Sequence, residues 1–228
     1  MCNYIINQHY IITTLASIKP RRLERIQKVV QNRQFDLTVV LENVHDPYNI
    51  GAVLRSCDSV GIREIFVLYT EPGLFENRLS IGRRTAMGTQ KWVDVHLYKS
   101  IEPCFEHIRQ NYDKIYGTYM DESSKSIYDL DLTQSVALLF GNENGGLSEE
   151  LRKRTDGNFL IPQKGMAQSL NISVAAAVSV YEAMRQRTVA GFYGQNNPAS
   201  SKQLEDLTQD YIQRHENEYD GKEIEPKG

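Results

Sequence analysis

Two short apolar runs separated by a helical stretch constrain this chain more than any other feature. Leu37–Glu42 is rich in β-branched residues and suits a buried strand. A polar turn, Asn43–Tyr48, leads into a helical pattern from about Asn49 to Val60, which Gly61 ends, and Glu64–Tyr69 is a second strand. Strands joined through a helix pair in parallel, because a tight hairpin is the only short link between neighbours and it makes them antiparallel. The same alternation continues. Trp92–Leu97, Lys114–Thr118, Val136–Phe140 and Asn158–Ile161 read as strands, and Ile101–Asn111, Ser148–Arg154 and an Ala-rich run that follows the loop Pro162–Leu170 and ends at about Arg187 read as helices. The expected fold class is α/β, with a mostly parallel sheet flanked by helices.

Composition narrows the function classes. With 40% hydrophobic and 24% charged residues the chain resembles ordinary globular proteins. A mean hydropathy of -0.47 and the lack of a long apolar run exclude a membrane span. Cys2, Cys57 and Cys104 lie far apart with no CxxC pair, so neither a disulfide framework nor a zinc ribbon is expected, and a reducing cytoplasm suits them. Met1–Leu15 has no basic lead and no clear cleavage site, so it is not read as a signal peptide.

The net charge of -3 argues by itself against nucleic acid, but its distribution argues the other way. Residues 202–228 carry a net -4, which leaves +1 for the rest. Lys19, Arg21, Arg22, Arg25, Lys28 and Arg33 face only one acid, Glu24, along an amphipathic helix expected over 20–34. Such a stripe is either a solvated helix face or a phosphate-binding one.

Three loops follow strand ends, where open parallel sheets bind ligands. The first runs from Glu42 through His45 and Asn49 to Gly51, with Arg55 further along the helix. The second is Gly141-Asn142-Glu143-Asn144-Gly145-Gly146, and the third runs from Ile161 and Pro162 through Met166 and Ser169 to Asn171. Each has a simpler reading. A glycine turn after a strand is usually only a turn, Ser169 or Asn171 can cap the next helix, and Arg55 can be a surface residue. His45 has no second ligand at metal-binding spacing, so no metal is expected. No GxxxxGK[ST], GxGxxG or GxSxG is present, which removes the P-loop, dinucleotide and hydrolase readings.

Taken together, the three loops resemble the motifs of the SpoU/TrmH family of RNA 2'-O-ribose methyltransferases, in the SPOUT superfamily. The matching stretches are Asn49–Arg55, Leu138–Leu147, and Ile161–Pro162 with Ser169–Ala175, in that order. The resemblance covers about residues 20–194 and is nearest the branch that modifies guanosine 18 in the tRNA D-loop. It implies a trefoil knot in the C-terminal half, a homodimer, a cytoplasmic enzyme, and S-adenosylmethionine as methyl donor to a ribose 2'-hydroxyl of tRNA. It divides the chain into an N-terminal extension with a basic helix (1–35), a methyltransferase domain (36–194) and a polar acidic tail (195–228) with one helical stretch around 200–215.

By position, the resemblance assigns Thr118, Phe140, Gly141, Asn142, Ile161, Pro162, Met166 and Leu170 to the cofactor. Arg55, Asn49, Glu143, Ser169 and Asn171 become the catalytic set, with Arg55 at the ribose hydroxyl. The resemblance has Arg55 activate that hydroxyl, either as a base in a strongly perturbed site or as a lasting cation that clamps phosphate and stabilises the forming alkoxide. The second is favoured because a guanidinium does not lose its proton near neutral pH, and Glu143 is expected to organise the site. Lys19, Arg21, Arg22, Arg25, Lys28, Arg83 and Arg84, with Arg78 and Lys91, would contact RNA phosphates. The alternatives are the same chemistry on ribosomal RNA or on the tRNA wobble nucleotide, and a non-catalytic RNA-binding homologue.

Overall fold

The computed structural model describes residues 18–71, 73, 74, 86, 88–216 and 227. In chain order these form α1 (Pro20–Val30), β1 (Leu37–Glu42), α2 (Pro47–Ser59), β2 (Glu64–Leu68), β3 (Asp94–Tyr98), α3 (Ile101–Asn111) and β4 (Lys114–Thr118). There follow β5 (Lys125–Ser126), β6 (Val136–Phe140), α4 (Glu149–Arg152), β7 (Gly157–Leu160), α5 (Ile172–Val189) and α6 (Ser201–Glu216). The strands make one seven-stranded sheet in the order β3-β2-β1-β6-β4-β7-β5, and every pairing is parallel. The α/β expectation holds. The two-residue strand β5 is the element that periodicity missed, since two residues carry no alternation.

Side chains alternate across the sheet and build two cores. Leu37, Val39 and Leu41 of β1 pack with Ile50, Val53 and Leu54 of α2 and with Ala176, Val180 and Ala183 of α5. Val40, from the opposite face, packs with Phe66, Leu139, and Ile101, Phe105 and Ile108 of α3. β1 and β6 are buried along their whole lengths, as central parallel strands covered on both faces must be. Their register, Leu41 beside Phe140, brings the first and second loops out of the sheet side by side.

The helix expected from about Asn49 begins earlier, at Pro47. Asp46 caps it by accepting from Tyr48 N at 2.9 Å, and Pro47 occupies the first helical position, where no N–H is needed. Asn49 therefore stands in the first turn of α2.

At the C-terminal end, the stretch expected around 200–215 is the helix α6, and it is packed rather than free. Its Leu207, Tyr211 and Ile212 bury against Ile18, Ile26 and Val30 beside α1. Arg33, counted above with the basic stripe, is corrected here: it is 1% exposed and is held by Asp58 Oδ1 at 2.5 Å and the Ile62 carbonyl at 3.0 Å. A guanidinium spent on those acceptors is a structural strut. No described helix is long and apolar enough to cross a membrane.

Candidate active site

The three loops meet at the carboxyl end of the sheet. Asn49 Nδ2 donates to Glu143 Oε1 at 2.6 Å, and Asn171 Nδ2 donates to Asn49 Oδ1 at 3.2 Å. The His45 N–H lies 3.5 Å from the other oxygen of Glu143. One carboxylate thus ties the loop after β1 to the loop after β6, and Asn49 extends the tie to the loop after β7. Asn171 also caps α5, accepting from Ser173 N at 2.8 Å. One side chain makes both contacts, its oxygen serving the helix and its amide serving Asn49.

Glu143 sits at the N-terminus of α2, and Asn171 begins α5, so the positive ends of two helices point at this corner and favour the Glu143 carboxylate there.

Beside this cluster lies a cleft of about 1140 Å³. Thr118, Phe140, Gly141, Asn142, Ile161, Pro162 and Leu170, named from sequence as cofactor residues, line it, and so do Glu143, Ser169 and Asn171. Its wall is backbone from the glycine loop together with apolar side chains such as Leu160, Ile161 and Ile172. A long, mixed-polarity small molecule fits that combination.

Met166 is placed elsewhere: it is 99% exposed and is not among the residues lining the cleft. Arg55 is exposed on α2 and makes no hydrogen bond or ion pair among the described residues. It stands apart from the Asn49–Glu143–Asn171 chain, six residues and well over a turn beyond Asn49. Ser169 is exposed at the cleft and is likewise not tied into that chain.

The glycine loop is built by its own Asn142. The side-chain oxygen of Asn142 accepts from Asn144 N at 2.9 Å and Gly145 N at 2.6 Å, an Asx turn that folds the loop back. Gly146 takes φ +67°, and a Cβ placed on Gly141 would lie 2.0 Å from the Gly146 carbonyl carbon. Only glycine at 141 permits this closure.

Two acids near the glycine loop were given no role from the sequence, although Glu42 opens the first loop. Glu42, 1% exposed, accepts from Ser148 N at 2.8 Å. Burial raises its carboxyl above the usual range, although the hydrogen bonds from Ser148 work against the rise. Glu71, three residues beyond β2, accepts from Asn142 Nδ2 at 3.4 Å and faces His45 Nε2 at 3.5 Å. A Glu at the end of an apolar run, or a few residues past it, looks ordinary, so neither carried a signal of its own.

Among the described part of the basic stripe, Lys19, Arg21, Arg25 and Lys28 are exposed. Arg22 is half-buried, with its guanidinium 5.3 Å from the centre of the Trp92 ring. Lys91 lies 5.6 Å from the same ring. Arg78, Arg83 and Arg84 lie outside the described residues. No cluster of three or more metal-ligating side chains occurs among the described residues.

The model of the SpoU rRNA Methylase family matches residues 36–181. A tRNA (guanosine(18)-2'-O)-methyltransferase of Thermus thermophilus is 41% identical over 172 residues, which is 75% of this chain and 86% of that protein. The crystal structure of the A. aeolicus TrmH/SpoU tRNA modifying enzyme superposes with a TM-score of 0.75 at 30% identity, covering 86% of this chain and 96% of that one. The SpoU methyltransferase AviRb of Streptomyces viridochromogenes, crystallised with AdoMet, gives a TM-score of 0.59 at 30% identity over 68% of this chain and 59% of that one.

Proposed function

This chain belongs to the SpoU methylase family, and from that premise we propose that it transfers a methyl group from S-adenosylmethionine to the 2'-hydroxyl of guanosine 18 in tRNA. The observation that carries this reading is the convergence of Asn49, Glu143 and Asn171, from three separate loops, at the mouth of one cleft. The Thermus thermophilus relative supports tRNA as substrate, and AviRb with its AdoMet supports the cofactor.

The residues fit the cofactor. The cleft, about 1140 Å³, is roomy enough, its glycine wall exposes backbone groups for a polar ligand, and Leu160, Ile161 and Ile172 offer apolar surface. Thr118, Phe140, Gly141, Asn142, Ile161, Pro162 and Leu170 would hold it. Met166, which points to solvent, would have to turn inward to join them. S-adenosylmethionine supplies an activated methyl group, so the protein has chiefly to align the acceptor and manage its proton.

Asn49, Glu143 and Asn171 form the fixed frame for that alignment, and Ser169 adds a hydroxyl on the same wall. Arg55 stays cationic, binds the phosphate next to the target ribose and stabilises the oxygen as its proton leaves. Its guanidinium, exposed and unpaired among the described residues, is available for that contact. Lys19, Arg21, Arg22, Arg25 and Lys28 hold the RNA backbone, with Arg83 and Arg84 in the same role. The domain at 36–194 carries the chemistry, and the enzyme works in the cytoplasm. Val174 and Tyr181, 46% and 47% exposed on α5, favour a second copy of the chain against that helix. The insertion of β6 between β1 and β4, and of β7 between β4 and β5, supports a knotted path at the C-terminal half.

The test is transfer of labelled methyl from S-adenosylmethionine to unmodified tRNA transcripts, with the modified nucleotide mapped, beside Arg55→Ala. Label on the guanosine 18 ribose that disappears in the variant is expected. Label on ribosomal RNA instead, which the name of the family model favours, would keep the chemistry and replace the substrate. RNA binding without transfer to either would leave a non-catalytic binder. Arg55→Lys retaining most of the activity would sink a role that needs the planar fork.

A further inference from the structure

We propose that Glu42 and Glu71 are positioning residues that hold the two ends of the glycine loop and thereby set cofactor affinity. The inference rests on the cleft being the S-adenosylmethionine site.

The two carboxylates arrive from neighbouring strands. β1 and β2 pair with Glu42 opposite Leu68, so the chain leaving β2 runs beside the chain leaving β1. Asn43 locks that arrangement. It is 3% exposed, takes φ +50°, and its side-chain oxygen accepts from Thr70 N at 2.8 Å and Glu71 N at 3.3 Å. A left-handed asparagine at the end of β1 therefore fixes where the Glu71 side chain begins.

The glycine loop starts at Gly141 and closes at Ser148. Glu42 takes the closing end through Ser148 N at 2.8 Å. Glu71 takes the opening end through Asn142 Nδ2 at 3.4 Å. The oxygen of Asn142 is already used to fold the loop, so its amide is the group left for Glu71. Removing Glu71 leaves the Asn142 side chain held through its oxygen alone, so the turn it makes loses its tie to the chain leaving β2.

Stability alone does not account for Glu42. It is buried, and among the described residues no Lys or Arg lies within ion-pair distance and its Oε1 has no hydrogen-bond partner. An apolar residue closing a central strand would serve the core better, because a buried carboxylate loses its hydration. What Glu42 gains is its hold on Ser148, at the end of a loop that lines the cleft.

The experiment titrates S-adenosylmethionine onto the full chain by calorimetry and records the melting temperature of the free protein. Glu71→Ala and Glu42→Leu are each expected to weaken binding about tenfold. Glu71→Ala, on an exposed side chain, should leave the melting temperature close to wild type, and it carries the decision should Glu42→Leu fail to fold. Glu71→Gln and Glu42→Gln keep an acceptor and should restore most of the lost binding, which a merely structural role does not predict. Binding by folded Glu71→Ala or Glu42→Leu within about twofold of wild type overturns the proposal. A wild-type chain that binds no S-adenosylmethionine overturns the functional reading, and this one with it.

Discussion

Asn49 and Glu143 lie 94 positions apart in the chain, and their side chains meet at 2.6 Å. The bond joins the first turn of the helix after β1 to the loop after β6, and both loops leave the sheet side by side because β1 and β6 are paired. Asn49 passes the constraint on to Asn171 at 3.2 Å. A frame spanning three loops can orient an RNA ribose without itself entering the reaction.

Residues acting as one frame should fail as one. Asn49→Ala and Glu143→Ala are each expected to lower the methyl-transfer rate about a hundredfold, the scale of a small misplacement of reacting groups. The double variant should be little worse than either single one. Single-turnover rates at saturating cofactor give the cycle, and fully additive losses would separate the two roles.

The exposed cations of α1 should act through charge alone. Replacing Arg25 and Lys28 together by Ala should reduce the slope of log affinity against log salt by about 0.7–0.9 per cation lost. The drop should be similar for cognate and unrelated RNA, since phosphate contacts carry no sequence information. Filter binding across a salt series measures it, and an unchanged slope would remove this helix from the RNA interface.

Arg187 is fully buried near the end of α5 and meets Asp36 Oδ1 at 2.5 Å, Gln34 Oε1 at 2.9 Å and the carbonyls of Leu132 and Gln134 at 2.9 and 2.8 Å. It ties α5 to the segments entering β1 and β6. Truncation strands those acceptors and Asp36, so Arg187→Ala should cost about 3–5 kcal/mol. Arg187→Lys should rescue little, because one ammonium cannot satisfy a fan of four residues. Denaturant unfolding decides it.

Glu64 provides the acid-limb prediction. Its burial alone would raise its pKa, but the hydrogen bond with His96, the charge of Arg63 and the Tyr112 hydroxyl outweigh that and hold it down at about 2. A carboxyl with a lower pKa folded than unfolded stabilises the fold above the unfolded value of 4.5. That contribution is lost as pH falls from there towards about 2. Glu64→Gln should be less stable at neutral pH, with a flatter decline across that window. Parallel decline of both proteins would show that Glu64 does not set the limb.

Local patterning was enough for much of this molecule. Apolar runs of strand length, helical periodicity between them and polar loops after the strands are properties of neighbouring residues, and they placed most elements and the three loops. The motifs within the loops were legible for the same reason, since Asn49, the glycine loop and the stretch to Asn171 are contiguous words. Long-range pairing decided the rest. Only the interleaved strand order brings Asn49, Glu143 and Asn171 together. Only packing shows that Arg33 is a buried strut, that α6 docks on α1, and that Met166 faces solvent. The same holds for Glu42 and Glu71, whose value lies in partners 106 and 71 positions away. A residue's type and its neighbours set what it can do, but the partner it meets depends on which strands lie side by side, and that is a property of the whole folded chain.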